Sequence, residues 1–275
     1  METKNSPKVT CCGQEKLSPR RRITSGMTAA AAPTRTNTIS TPALVHSVEL
    51  TGPAGRLEAV LNEGAPDAPF AALICHPHPK GGGTMHNKVV YHAMKVMNDP
   101  AWGLALPVLR FNFRGTGLSQ GIHDGKVESE DVLAAMGWLE NEYKLPLVVA
   151  GFSFGAAMAL KACCGHDAVA KKIHALVALG LPTQAEGGVP GDRSSSLGCE
   201  GRDYQYRFLA GCKIPKLFLS GDHDQFATAA QLAEMAASAA DPKQLLLIPG
   251  ADHFFTGQLA PMQQALSVWL KEQQQ

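Results

Sequence analysis

Short apolar runs alternate with amphipathic or alanine-rich segments along most of the chain. Runs of this kind are typical of strands buried on both faces of a parallel sheet, and the segments between them have the spacing of helices. The predicted strands are residues 43–50, 56–61, 70–75, 104–113, 145–150, 173–179, 216–220 and 245–248. The predicted helices are residues 88–97, 129–143, 154–164, 225–239 and 257–272.

Repeated strand–helix units predict an α/β fold, with a mostly parallel central sheet and helices on both faces. The first two strands, joined by the turn at residues 51–55, predict a hairpin-like opening. The series shows no repeat and no second core, so we expect one domain over residues 44–275. Residues 184–201 are rich in Gly and Ser and predict a flexible loop. This loop is too short and polar to form a large cap over a site, so we expect an open site. The alternative is that the loop is an insertion without a functional role.

The first 43 residues differ from the rest in composition and charge. They carry seven basic and two acidic side chains, a net +5, which leaves −4 for the remainder of a chain whose total is +1. This composition predicts a disordered arm, or a chain that starts at Met27, with organelle targeting as the alternative. A mildly acidic body gives no reason to expect nucleic acid as a partner, and no apolar run is long enough to span a membrane.

The seven cysteines are odd in number and include no C-x-x-C pair. This pattern argues against a disulfide framework and against a structural zinc site. Cys75, Cys163 and Cys164 lie in apolar stretches and are predicted to be core thiols. The predicted compartment is therefore the reducing cytoplasm.

Residues 151–155 (GFSFG) fit the pattern G-x-S-x-G, in which a serine occupies a sharp turn between a strand and a helix. Here an apolar predicted strand precedes the pattern and a predicted helix follows it. The turn requires a positive φ at its tip, and the flanking glycines avoid a collision across it. Ser153 is therefore the candidate nucleophile; the alternative is a glycine-rich turn with a solvated serine.

A serine hydroxyl needs a base to take its proton and an acid to hold that base. In this architecture the partners follow in the order Ser, Asp or Glu, His, each after a later strand. His253, just past the last predicted strand, is the candidate base. His223 is a competitor that would break the expected order.

Two acids in the preceding loop are candidates for the orienting group. We favour Asp224 because its distance from the strand end gives it reach, and we expect Asp222 to cap the helix beginning near Gln225. Asp252 adjoins the base and is expected to point elsewhere.

Acyl transfer also needs N–H donors aimed at the developing oxyanion. One is expected from Phe154, the residue after the nucleophile, and the other from His78 in the glycine-rich loop after the strand 70–75. A metal site at His76 and His78 is disfavoured because no carboxylate or third His completes a set nearby. No cofactor is expected: the loop lacks the Gly-Lys-Ser/Thr of a phosphate loop, and residues 114–121 miss the dinucleotide spacing and predict a structural turn.

With these motifs in place, the chain resembles the serine α/β-hydrolases, in particular the compact bacterial branch that includes dienelactone-hydrolase-like proteins and small carboxylesterases. The matching segments are residues 76–90, 110–121, 151–156, 220–227 and 249–255. The resemblance implies Ser153, Asp224 and His253 as a catalytic triad without a cofactor. A dienelactone hydrolase would have Cys at the elbow, so Ser153 puts that activity in doubt.

The leading hypothesis is hydrolysis of small carboxylic esters or thioesters, with a small-molecule substrate as the expected partner. A peptidase-type hydrolase is a variant of it, and a non-catalytic binding protein on the same fold is the alternative. A nucleotide-dependent enzyme is disfavoured by the glycine spacings.

Overall fold

The predicted strand–helix series is present in the computed structural model, which describes residues 44–164, 172–183 and 206–274. The strands are β1 (Val45–Gly52), β2 (Gly55–Asn62), β3 (Ala71–Cys75), β4 (Val108–Phe111), β5 (Leu147–Phe152), β6 (Ile173–Leu179), β7 (Lys216–Gly221) and β8 (Lys243–Ile248). The helices in the described residues are α1 (Lys88–Asn98), α2 (Ser129–Tyr143), α3 (Phe154–Cys164), α4 (Ala229–Ser238) and α5 (Leu259–Glu272). The predicted arm 1–43 and loop 184–201 lie outside the described residues, so the domain boundary and the effect of that loop stay predictions.

The strands form one sheet in the order β1-β2-β4-β3-β5-β6-β7-β8. Strand β2 pairs antiparallel with both β1 and β4, and all the remaining pairs are parallel. The opening hairpin and the mostly parallel sheet were both predicted, because a short Pro-Ala turn separates the first two runs while longer helical segments separate most of the later ones.

Alternate residues of the central strands contribute to two separate cores. Leu73 of β3 packs in the core that includes α2 and α3, whereas its neighbour Ile74 packs in the core that includes α1 and α5. Successive side chains of a strand point to opposite faces, so a strand covered on both sides must be apolar throughout. This is why the predicted strands are continuous apolar runs rather than alternating ones.

The chain leaves β3 and β5 in opposite directions. These two strands are parallel neighbours, but β3 leads through α1 to β4 on one side, and β5 leads through α3 to β6 on the other. The connections therefore diverge beyond the carboxyl ends of β3 and β5, and open α/β sheets bind ligands in such a crevice. The G-x-S-x-G segment follows β5 and the glycine-rich loop follows β3, so both candidate regions meet there.

Several boundaries differ from the prediction for identifiable reasons. The predicted strand 104–113 shortens to β4, because Leu104–Pro107 approach the sheet as a connection in which Leu106 N–H bonds to the Met97 carbonyl. The predicted helix 225–239 begins only at Ala229, where Thr228 and Gln231 form a reciprocal capping box. The last helix begins at Leu259 rather than at residue 257.

The expectation for the cysteines is partly wrong. Cys75 and Cys163 are buried free thiols, as predicted, but Cys164 is joined to Cys212 in a disulfide. The end of α3 and the 3₁₀ turn Arg207–Gly211 come together in space, although 48 residues separate the two cysteines along the chain. Sequence spacing does not reveal such a meeting. Within the described residues, no helix is both long and apolar enough to cross a membrane.

Candidate active site

Strand β5 runs directly into Ser153, and α3 starts at the next residue. Ser153 has φ of +55°, a backbone conformation that costs a residue with a side chain of the order of 1–3 kcal/mol. Its N–H donates to the Leu179 carbonyl at 2.9 Å, which ties the turn to the neighbouring strand β6. A strained serine held at the end of a central strand is the geometry that the sequence pattern predicts.

The two glycines of the pattern prevent different collisions. A Cβ on Gly151 would lie 2.4 Å from the backbone of Gly155, which is the predicted clash across the turn. A Cβ on Gly155 would lie 2.4 Å from the carbonyl oxygens of Cys75 and His76, at the end of β3. The second glycine therefore lets α3 pack directly against the loop after β3, which brings the residue after the serine close to that loop.

The His253 imidazole lies between Ser153 and Asp224. Its Nε2 is 2.9 Å from the Ser153 Oγ, and its Nδ1 is 2.8 Å from the Asp224 Oδ2. A carboxylate can only accept, so the imidazole carries its proton on Nδ1 and its Nε2 accepts the serine hydroxyl. The side chains of His253 and Asp224 are 2% and 0% exposed. The structure thus brings together three predicted site residues that lie up to 100 positions apart in the sequence.

The two acids after β7 have different partners. The Asp224 carboxylate also accepts the Ser220 hydroxyl at 2.9 Å and the Phe226 N–H at 2.8 Å. Asp222 instead accepts the Gly250 N–H at 2.7 Å, so the expectation that it caps the following helix is wrong. It holds the loop of His253 against the loop of Asp224. Of the two, Asp224 is the acid in contact with the candidate base.

The polar residues His223 and Asp252 have partners other than His253. His223 is an exposed side chain whose ring lies 4.0 Å from Asp222. The Asp252 carboxylate accepts the N–H groups of Phe254 and Thr256, and these bonds lower its pKa. As predicted, the residue adjacent to the base points elsewhere.

Three phenylalanines surround the His253 ring. The ring centroids of Phe152, Phe226 and Phe254 lie 5.0, 4.4 and 5.1 Å from it. Phe254 is 47% exposed, so one of these rings also faces solvent at the site. Aromatic walls exclude water from the imidazole and strengthen its contacts with Ser153 and Asp224.

The glycine-rich loop after β3 turns back at His78. The His78 carbonyl accepts the N–H groups of Gly81 and Gly83, and its Nδ1 accepts the Lys80 N–H at 3.1 Å. The His78 ring lies 5.0 Å from the Phe154 ring. The two residues expected to supply oxyanion donors are therefore neighbours at the start of α3.

His76 is a buried structural histidine. Its Nδ1 donates to the Pro77 carbonyl at 2.6 Å, and its Nε2 accepts the Phe113 N–H at 3.0 Å. Burial lowers the pKa of His76 to about 3, although the bond to Pro77 acts to raise it. Both nitrogens are engaged, so His76 ties the ends of β3 and β4 together rather than offering a metal ligand. Within the described residues, no three His, Cys, Asp or Glu side chains are grouped to hold a metal ion.

A family model described as an α/β-hydrolase domain matches residues 78–264, well over half of the chain. The chain belongs to the α/β-hydrolase family. An uncharacterized protein of Rickettsia prowazekii (strain Madrid E) is 32% identical over 232 residues, which cover 81% of this chain and 87% of that protein.

Two solved structures are similar to this α/β-hydrolase over most of their length. A protein of Xanthomonas campestris, described as an α/β serine hydrolase without a lid, is 28% identical with a TM-score of 0.67 and covers 84% of this chain and 96% of its own. An α/β serine hydrolase homologue of Coxiella burnetii is 30% identical with a TM-score of 0.67 and covers 82% and 97%. The predicted fold class and family are thereby confirmed.

The loop Arg114–Gly121 of this α/β-hydrolase makes the contacts of a structural turn, as predicted. The Arg114 guanidinium donates to the Asp131 carboxylate at the start of α2, with a shortest distance of 2.7 Å. The Ser119 hydroxyl donates to the Asn112 carbonyl and accepts the Glu58 N–H, which joins the turn to β2. The loop is therefore held to β2 and α2 by bonds within the protein, as a structural turn requires.

Sequence reasoning missed a buried contact between His123 and Glu128 beside His78. His123 Nδ1 lies 2.6 Å from Glu128 Oε1, and the His123 ring lies 4.8 Å from the His78 ring. Burial acts to raise the pKa of Glu128, but the bonds from His123 and the Gly125 N–H outweigh it and lower the pKa to about 2. It also missed Ser220. All three residues lie near motifs that the sequence shows, but none of them belongs to a recognisable pattern.

Proposed function

We propose that the protein is a serine hydrolase that cleaves small carboxylic esters or thioesters through an acyl-enzyme. The observation that carries the proposal is the His253 ring, whose two nitrogens lie 2.9 Å from the Ser153 Oγ and 2.8 Å from the Asp224 Oδ2. A serine placed this way can lose its proton to a neutral imidazole as it attacks, and the carboxylate compensates the charge that the imidazole gains.

In the proposed reaction, the Ser153 Oγ attacks the carbonyl carbon while its proton passes to His253 Nε2. The tetrahedral oxyanion accepts N–H donors from Phe154 and His78. As the C–O or C–S bond breaks, His253 returns the proton to the leaving alcohol or thiol. Water then repeats the sequence on the acyl-enzyme and releases the acid. The chain supplies nucleophile, base and donors, so the proposal requires no cofactor.

The relatives support hydrolase chemistry and an open site. The Xanthomonas protein is described as a serine hydrolase without a lid, and 28% identity over 84% of this chain makes that description relevant here. A site without a large cover favours small substrates that enter from solvent.

A fluorophosphonate probe tests the nucleophile, because it phosphonylates a serine whose hydroxyl is activated by a base. We expect labelling of the folded protein to be lost in Ser153→Ala and retained in Ser238→Ala, a matched change at an exposed serine on α4.

Hydrolysis of p-nitrophenyl acetate should fall by about 10⁴–10⁶ in Ser153→Ala while the circular dichroism spectrum stays the same. Undiminished turnover in that variant would remove Ser153 from the mechanism. A panel of oxygen and thio esters of increasing acyl length then defines the substrate class.

A further inference from the structure

Ser220 is the last residue but one of strand β7, just before the loop that carries Asp224. The residue is 1% exposed, and its hydroxyl donates to Asp224 Oδ2 at 2.9 Å. The same oxygen accepts the His253 Nδ1–H at 2.8 Å, whereas Asp224 Oδ1 accepts the Phe226 N–H. Two donors therefore share the one carboxylate oxygen that contacts the imidazole.

We propose that Ser220 is a positioning residue that sets the basicity of His253 by acting through Asp224. The inference rests on the function proposed above. A hydroxyl that donates to Asp224 Oδ2 draws negative charge away from the His253 Nδ1–H and so weakens the stabilisation of the protonated imidazole. Ser220 thereby keeps His253 in its neutral, proton-accepting form to lower pH.

The geometry also lets the hydroxyl fix the orientation of the carboxylate. Ser220 and Phe226 hold Asp224 from opposite oxygens, which leaves its plane little freedom to rotate. The loop between them packs tightly against the His253 loop, because a Cβ on Gly221 would lie 2.0 Å from the Ala251 carbonyl oxygen. The Ser220 hydroxyl thus acts on a carboxylate that is already confined against the His253 loop.

Within the part of the chain that the structure describes, few other charged groups lie close enough to His253 to affect its titration. From its own loop, Asp252 directs its carboxylate to the N–H groups of Phe254 and Thr256. From the β7 loop, Asp222 is bonded to Gly250 N–H and faces the exposed His223. From β5 and the segment after β6, the ring meets Phe152, Ser153 and Gly180, which carry no charge. Among the described residues, Asp224 is therefore the charged group in contact with the His253 ring, and Ser220 donates to it directly.

The first test is the pH dependence of kcat/KM for p-nitrophenyl acetate in Ser220→Ala. The acid limb should move to higher pH by about 0.5–1 unit, because the carboxylate holds the protonated imidazole more strongly. Ser220→Thr keeps the donor and should restore the wild-type limb. Ser267→Ala removes another buried serine hydroxyl, on α5, and should leave the limb unmoved. A lower plateau with an unmoved limb in Ser220→Ala would overturn the proposal, since it indicates a structural role only.

The second test does not depend on turnover. NMR titration of histidine-labelled protein follows the His253 ring, which is assigned by the signal lost in His253→Gln. The pH midpoint of His253 should rise in Ser220→Ala relative to wild type. In an Asp224→Asn background, adding Ser220→Ala should leave the midpoint unchanged, because the effect passes through the charge of the carboxylate. An unchanged midpoint in the single variant would contradict the inference. Absence of any hydrolysis in wild-type protein would instead contradict the proposed function, while the titration still decides the role of Ser220.

Discussion

Asp222 and Asp224 lie two positions apart after β7, and only their surroundings separate their roles. Asp224 is 5% exposed and contacts His253, whereas Asp222 is exposed and accepts a backbone N–H from the neighbouring loop. From the letters alone, Asp224 was preferred for its reach from the strand end. Asp224 is the residue that contacts the base, whereas Asp222 bonds to the His253 loop and does not cap a helix. An aspartate can serve either as a cap or as such a tether, so its residue type does not distinguish the two roles.

The two acids can be distinguished by matched substitutions. Asp224→Asn should lower kcat by about 10³–10⁴, because an amide cannot compensate the imidazolium and favours the wrong tautomer. Asp222→Asn keeps an oxygen acceptor for the Gly250 N–H and should stay within a few-fold of wild type. Steady-state kinetics on one ester substrate checks both. A larger loss in Asp222→Asn would reverse the assignment of the orienting acid.

At the scale of elements, the site depends on the contact between α3 and the end of β3. This contact exists because residue 155 has no side chain, so the helix reaches the carbonyl groups of Cys75 and His76. The oxyanion donors proposed at Phe154 and His78 come from the two elements that meet there. A change that separates the helix from the strand should therefore disturb the site without touching Ser153, Asp224 or His253.

Gly155→Ala tests this contact, with Gly137→Ala as its control. Both glycines lie in helices, but a Cβ on Gly155 would lie 2.4 Å from backbone oxygens and one on Gly137 would meet nothing within 4 Å. We expect Gly155→Ala to lower the free energy of unfolding by roughly 1–3 kcal/mol and turnover by about 10². Gly137→Ala should stabilise α2 by about 0.5–1 kcal/mol with unchanged turnover. Urea unfolding and kinetics measure both effects; equal behaviour of the two variants would contradict the packing argument.

At the scale of the whole molecule, burial of His76 links stability to pH. The folded state lowers the pKa of His76 from 6.5 to about 3, so between these values the unfolded chain binds a proton that the folded protein does not. Its contribution to stability is therefore complete above pH 6.5 and falls as the pH decreases toward 3. Glu128 adds a loss in the same direction, but only at lower pH, between 4.5 and about 2.

Measurement between pH 6.5 and 4.5 isolates the effect of His76. Over this range, the free energy of unfolding should fall by roughly 2–3 kcal/mol more in wild type than in His76→Gln, which keeps a donor and an acceptor but does not titrate. His86→Gln, at an exposed histidine, should follow the wild-type curve. Parallel curves for wild type and His76→Gln would show that the buried imidazole does not control acid stability.

The sequence by itself determined the elements, their order and the candidate residues after β5, β7 and β8. The continuous apolar runs and the G-x-S-x-G pattern involve residues that are close together in the sequence, as does the position of the later Asp and His just after a strand. Such patterns can be recognised without knowledge of the fold. Tertiary structure alone showed that Asp222 bonds to the His253 loop instead of capping a helix, that Ser220 donates to Asp224, that His123 contacts Glu128, and that Cys164 pairs with Cys212. The contacts of Asp222 and of Cys164 join segments that are distant in the sequence, and their partners depend on how the strands are arranged in the sheet. The contacts of Ser220 and His123 are local, but each depends on the conformation of a single loop, which residue spacing does not encode.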